Sequence, residues 1–359
     1  MTENSPIAQT EIAQTEIAQT DLLCTNCAGQ CKFVPEADAL VCQSCATEHA
    51  IVTDPNADPA KEQHYDPDLP QTEQPMLALE RPYQCETCGG EVVFHGHSIS
   101  ENCPYCNGAL VETTIDESYQ TLGMIPFAVG EKQAQANALD WVARRWAAPS
   151  NLGEVVSRSR VAGIYVPFWT FDSKEAVDYT VTYKVKRGKR STRRTKQGSM
   201  RTEFDDLLMP ASPHVTPLIR DGILHDFQPS KLRPLDPGYL AGFAAERHRQ
   251  TVREGLESNE ADKSLLLRNR IKKHSGKRQI VHVSYKTDTT GIKYRRILLP
   301  VWILHYEWGG APMRVVACGL AGRTFGERPF STIKLLFFAC LASTACAAFG
   351  FMWGAMHLY

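Results

Sequence analysis

Four copies of the pattern Cys-x-x-Cys, at Cys24/Cys27, Cys42/Cys45, Cys85/Cys88 and Cys103/Cys106, constrain this chain more than any other feature. They form two sets, and in each set 14 residues separate one pair from the next. A Cys-x-x-Cys turn aims two sulfurs at one centre, so two facing turns supply the four-thiolate tetrahedron that zinc favours. The expectation is therefore two zinc ions, one held by Cys24, Cys27, Cys42 and Cys45, the other by Cys85, Cys88, Cys103 and Cys106. Both should be structural, because four thiolates leave no coordination position open. Gly89 and Gly108, just past the knuckles, permit the turns. His95 and His97 are ligands by type, but the thiols already complete the site, and Cys31 reads as a bystander. Four pairs at matched spacing argue against redox chemistry.

The opening "MTENSPIAQTEIAQTEIAQTD" is polar and acidic where a secretory signal would be basic and then apolar. Paired thiols in a reducing compartment, rather than disulfides, are the consequence. Cys318, Cys340 and Cys346 are scattered and read as packing residues. The repeated IAQTE pentamer lacks bulky apolar side chains to offset ordering entropy, so 1–21 is read as a disordered tail.

The rest divides by composition into a zinc ribbon at 22–52, an acidic Pro-rich linker at 53–82 and a second ribbon at 83–114. A body at 119–330 and an apolar segment at 333–356 follow. Pro55, Pro59, Pro67, Pro70, Pro75 and Pro82 make the linker an extended, solvated arm. In the body, "TLGMIPFAV" reads as a strand, and Glu131 to Ala148 as a helix stopped by Pro149. Val177, Tyr179, Val181, Tyr183 and Val185 alternate with polar residues as a half-buried strand does. A return strand at "MRTEFDDLLMP", a long helix from Glu246 to Lys273 and two strands joined at Gly309-Gly310 complete the pattern. The fold class is α+β with largely antiparallel sheet.

Charge is distributed unevenly. From Asp21 to Glu112 there are 15 acidic and three basic side chains, so the remainder of a chain with net charge −1 must be basic. The two halves should meet different partners, or each other. Between Cys85 and Leu110 no Lys or Arg is available for phosphate, which points the ribbons toward protein contacts. The dense cationic stretch is 184–201, with Lys184, Lys186, Arg187, Lys189, Arg190, Arg193, Arg194, Lys196 and Arg201 and no acid, at the expected tip of a hairpin. It suits anionic lipid headgroups at the inner leaflet, with nucleic acid as the alternative polyanion.

Leu335 to Met356 carry no charge over 22 positions, enough for a helix across a hydrocarbon core of about 30 Å. Arg323, Arg328 and Lys334 lie just before it, which places the N-terminal part in the cytoplasm and the helix in the inner membrane as a single pass. Ala342, Cys346, Gly350 and Gly354 recur every four residues, a small-residue face for homo- or hetero-oligomeric helix packing.

No catalytic arrangement stands out, and the chain is read as non-enzymatic. Gly188-Lys189 and Gly276-Lys277 lack the upstream glycine of a phosphate loop, since Tyr183 and Ile271 stand there. The segments "IPFAV", "GIYVPFWTFD", "FDDLLMPAS", "DPGYLAGFAAER" and "LLPVWILHYEWGGAPMRVVACGLAGRTFGERPFS" resemble a family of bacterial double zinc-ribbon, single-pass membrane proteins. Its members are often labelled as related to the primosomal replication-restart helicase or as carrying a transcription-factor-type ribbon. The resemblance covers roughly Cys85 to Lys334. It implies a membrane scaffold that recruits cytoplasmic proteins, phage-shock-protein A homologues and SPFH-domain proteins among them, during envelope stress. The alternative is a membrane-tethered nucleic-acid-binding protein. Helicase activity is not implied, because the motor is absent.

Overall fold

The computed structural model describes residues 22–357 except 54–56, 60, 67–72, 74–75, 78–80, 96–101, 115–116 and 189. The repeat tail, His97 and Lys189 lie outside the described residues. The first elements are β1 (Cys31–Val34), β2 (Ala39–Cys42) and β3 (Glu48–His49), an antiparallel sheet of their own. β4 (Gln63–Tyr65) and β5 (Met76–Leu77) follow. β6 (Pro82–Cys85), β7 (Glu91–Phe94) and β8 (Leu110–Glu112) build the second cysteine unit. β9 (Glu117–Ser118) and β10 (Gly123–Met124) lead to α1 (Glu131–Ala143) and α2 (Leu152–Ser157). β11 (Arg160–Arg187) and β12 (Arg190–Pro210) form a long hairpin. Next come α3 (Pro217–Leu224), β13 (Arg233–Pro234), α4 (Pro237–Leu240), β14 (Ala244–Ala245), α5 (Val252–Ser258) and α6 (Glu260–Ser275). β15 (Ile280–Trp308), β16 (Ala311–Cys318), β17 (Thr324–Gly326) and α7 (Thr332–His357) close the chain.

The architecture is α+β and mostly sheet, built on β15 paired antiparallel with β11 along most of its length. From Tyr294 to Tyr306 every residue of β15 is buried, the pattern of a strand covered on both faces. Ile297, Leu299, Val301 and Ile303 pack with Cys85, Cys103 and Tyr105 of the second cysteine unit. The alternate residues Leu298 and Trp302 pack with Cys24, Phe33 and Cys42 of the first. The period-two geometry of one strand thus carries the two cysteine units on opposite faces of one sheet.

Neither unit hangs on a free arm. β7 joins the main sheet through β14, which pairs with β11. Phe33 is fully buried, meets the Tyr239 ring edge-on at 5.2 Å and donates its amide N–H to the Ala241 carbonyl at 3.1 Å. The described part of the linker is also bound to the body rather than solvated. β4 pairs with Ile292–Tyr294, Lys293 Nζ lies 2.6 Å from Glu62, and Glu73 ion-pairs with Arg296. With Asp38 on Arg233, and Glu91 on Arg247 and Arg249, the acidic N-terminal part and the basic body neutralise each other.

Beyond the irregularity at Asp172 the sheet narrows to β12, β11 and β15, covered on one face alone. There α6 sets Leu267 and Ile271 on Val177, Val181, Phe204 and Val283, a second small core. The alternation of the sequence is the signature of this half-covered ribbon. The expected helix from Glu246 to Lys273 is instead two helices, with Glu246 and His248 in extended backbone. Asn259 ends α5 by donating its side-chain amide to the Gly255 and Pro210 carbonyls, at 2.7 and 3.0 Å. The helix expected to reach Ala148 stops at Ala143 and leaves Trp146 exposed. Gly309 and Gly310 take positive φ of 59° and 80°, the hairpin turn their sequence indicates.

α7 leaves the body at the end of the sheet opposite the ribbon. Its start is held by Ser331 N donating to Ala147 O, Lys334 Nζ donating to Ala148 O (both 2.8 Å) and Trp146 packed edge-on against Phe338 at 4.7 Å. The segment entering it runs beside Val315, which faces Leu304 of β15. From Leu304 to Ile280, the outer end of β15, the strand spans up to about 80 Å.

Candidate metal centres

Each knuckle is a short turn whose second cysteine is followed by a residue in the left-handed region: Ala28 (φ 54°), Ala46 (58°), Gly89 (73°) and Asn107 (67°). The turns close through Ala28 N to Cys24 O (2.8 Å), Ala46 N to Cys42 O (3.0 Å), Gly89 N to Cys85 O (2.9 Å) and Asn107 N to Cys103 O (2.9 Å). Gly89 fills the role its sequence position suggests, whereas Gly108 serves by close approach. A Cβ there would stand 2.2 Å from Thr87 Oγ1 and 3.2 Å from Cys85 Sγ.

In each set the four sulfurs lie within 4.8 Å of one another. In the first, Cys24 to Cys45 is 3.6 Å, Cys27 to Cys42 is 3.5 Å and Cys27 to Cys45 is 3.3 Å. In the second, Cys85 to Cys106 is 3.4 Å and Cys88 to Cys103 is 3.8 Å. A tetrahedral ion with metal–sulfur bonds of about 2.3 Å holds its sulfurs about 3.8 Å apart, so both sets fit one ion each with little contraction or expansion. Amides point at the sulfurs as such sites require: Ser44 N to Cys42, Tyr105 N to Cys103 and Gly108 N to Cys106, each 3.4 Å. Without a cation the thiols oppose one another's ionisation. Hydrogen bonds from Thr47 pull Cys45 down to about 6. Cys27, despite the Gly29 amide, is pushed up to about 12 by the sulfurs of Cys45 and Cys42, and burial drives Cys103 higher still.

Residues outside the Cys-x-x-Cys pattern complete both settings. His49 Nε2 sits 3.3 Å from Cys24 Sγ, a contact only the fold brings about, while Cys31 lies outside the four-sulfur set and pairs in register with Cys42. His95 takes no part in the second set. That set is clamped to the body by a buried network: Glu246 accepts hydrogen bonds from Tyr105 and from Ser212 (2.5 Å), and His214 Nε2 donates to Cys88 O at 3.1 Å. Glu246 beside His214 holds the imidazole pKa above its ordinary value. Sequence offers no sign of this serine, histidine and carboxylate grouping, because Glu246 lies 34 residues beyond Ser212. The Ser212 hydroxyl bonds the carboxylate, and the far imidazole nitrogen is engaged by backbone, so the group works as a latch.

A further acidic group, Glu62, Asp172 and Asp206, is closed by Arg295 and Lys293. A cleft of about 1150 Å³ beside the second sulfur set is lined by Arg158, Arg314, Glu154 and Glu327, which pair among themselves.

The cationic stretch forms the outer end of β11 and β12. Lys184 pairs with Arg193 and Lys186 with Ser191 on one face; Tyr183 pairs with Arg194 and Arg187 with Arg190 on the other. Lys184, Lys186, Arg190, Arg193, Arg194, Lys196 and Arg201 are exposed, and Lys196 Nζ donates to Ser275 O at 3.0 Å. α7 holds a stretch from Thr332 to Trp353, 22 residues of mean hydropathy 2.0 with none of it buried, long and apolar enough to cross a membrane. Ala342, Cys346, Gly350 and Gly354 lie along α7, and among the described residues a Cβ added at Gly350 would meet nothing within 4 Å outside its own helix.

No family model matches the chain, and no solved structure does. A protein of Bacillus subtilis (strain 168) described as uncharacterized protein YdjG is 22% identical over 222 residues, 59% of this chain. The match spans 64% of that protein's length.

Proposed function

We propose that the chain is a non-enzymatic, membrane-anchored zinc-ribbon scaffold that recruits cytoplasmic proteins to the inner membrane in an envelope-stress response. The observation that carries this reading is the separation of roles along one rigid axis. The apolar helix is fixed at one end, an exposed charged ribbon reaches away at the other, and between them lie two sets of four sulfurs, each able to complete the coordination of one ion. Zinc is the ion of choice for both, because it accepts four thiolates in a tetrahedron and carries no redox chemistry. The body faces the cytoplasm in this reading, and proteins of the phage-shock-protein A and SPFH-domain kinds are the partners that the resemblance suggests. Asp38 and Glu91 of the ribbons are engaged by the body's own arginines, which leaves recruitment to the acids that stay exposed, such as Glu48 and Glu86, and to surfaces elsewhere.

Affinity capture from detergent-solubilised membranes tests the proposal. The intact chain should retain specific proteins that move to the soluble fraction when 332–359 are removed. Recovery of nothing beyond a control membrane protein, or an intact chain that fractionates as soluble, would overturn it.

A further inference from the structure

We infer that the outer end of the β11–β12 hairpin is a binding arm for duplex nucleic acid, a role beyond the protein recruitment proposed above. Six cations elsewhere in the body are matched: Arg220 with Asp262, Arg233 with Asp38, Arg247 with Glu91, Lys263 with Glu175, Arg296 with Glu73, Arg323 with Asp226. On the hairpin end no ion pair is found for Lys184, Lys186, Arg190, Arg193 or Arg194 among the described residues. Uncompensated positive charge is concentrated where the fold is narrowest.

Shape selects among polyanions. β15 pairs with β11 only as far as Tyr183, and α6 ends at the left-handed Gly276. The Lys184 amide still donates to the Gln279 carbonyl at 3.1 Å, so the rungs from Val185/Thr192 to Arg187/Arg190 project as a bare two-stranded ribbon, about 10 Å long. Lys186 and, at the base, Lys184 and Arg193 occupy one face; Arg190 and, at the base, Arg194 occupy the other. A lipid leaflet or a flat acidic protein surface can meet only one face of such a ribbon. The major groove of a duplex admits a two-stranded ribbon and surrounds it with phosphates. Position selects in the same direction, because the arm stands up to about 80 Å along β15 from the level at which the chain enters α7. No aromatic side chain projects from these rungs to stack on unpaired bases, which favours a duplex over a single strand.

The test uses the full chain in nanodiscs of neutral phosphatidylcholine and a short random-sequence DNA duplex followed by fluorescence anisotropy. Binding should weaken steeply with salt, and R193S/R194S should lower affinity tenfold or more and reduce the log–log salt slope by about two. R193K/R194K should restore both, and R144S/R145S, beside the anchor, should change neither. Trypsin cleavage within 184–194 should be blocked by the duplex and proceed equally in neutral and anionic nanodiscs. Absence of salt-dependent binding, or equal binding by R193S/R194S, overturns the inference. So does protection of the arm by phosphatidylglycerol discs, or by polyglutamate as fully as by the duplex.

Discussion

Two residues set the conditions under which the molecule holds together. Cys103 is buried in the core shared by the second sulfur set and β15, so an ion held there would act on the whole body. Cys103→Ser should reduce bound metal from two ions per chain to one by elemental analysis and lower the unfolding midpoint, since metal binding and folding are coupled. Cys27 is exposed, and Cys27→Ser should lose the other ion with less effect on the body. His248 is fully buried, accepts from Thr121 Oγ1 at 2.8 Å on Nδ1 and donates Nε2–H to the Phe168 carbonyl at 3.1 Å. Burial lowers its pKa from 6.5 to about 3. A group depressed in the folded state contributes stability that is present above its unfolded pKa and lost as pH falls toward the folded one. Denaturant unfolding should therefore show stability dropping by a few kcal/mol between pH 6.5 and about 3, and His248→Gln should flatten that slope.

At the scale of elements the joints between modules can be separated. Phe33→Ala empties the contact of β1 with Tyr239 and should cost ~3–5 kcal/mol. Hydrogen exchange should then quicken in β1 to β3 while β6 to β8 stay protected. Glu175, buried between α6 and the ribbon, accepts from Thr287 and Thr289 at 2.8 and 2.7 Å and pairs with Lys263 at 2.7 Å. Glu175→Ala leaves that ammonium uncompensated, and chemical denaturation should show a loss of ~3–5 kcal/mol. The knuckles, the Gly309-Gly310 hairpin and the half-covered strands were legible in the sequence, because each is fixed by residues close along the chain. The docking of the cysteine units was not. It depends on Phe33 meeting Tyr239 and on β7 meeting β14, contacts between segments about 150 or more residues apart. Helical spacing ran through 246–273 because Asn259 breaks it with bonds to a distant strand, which periodicity does not register. Charge asymmetry left open whether the halves meet different partners or each other; the structure pairs them, Glu73 with Arg296 and Asp38 with Arg233.

At the scale of the molecule, the apolar helix α7 and the charged end of the β11–β12 hairpin lie at opposite ends of one continuous sheet. The link between α7 and the body is short: Lys334 on the Ala148 carbonyl and Phe338 against Trp146. Such a clamp transmits angle. A transmembrane helix in a thinner bilayer tilts, commonly by about 20°. Carried along a lever of about 80 Å, that tilt displaces the ribbon's tip by about 27 Å. Energy transfer between a donor on the ribbon and an acceptor in the lipid, read across bilayers of increasing acyl length, should follow that displacement, and a constant signal would mean that the clamp yields. In a bilayer the molecule would behave as a gauge of membrane thickness, with its pointer in the aqueous phase.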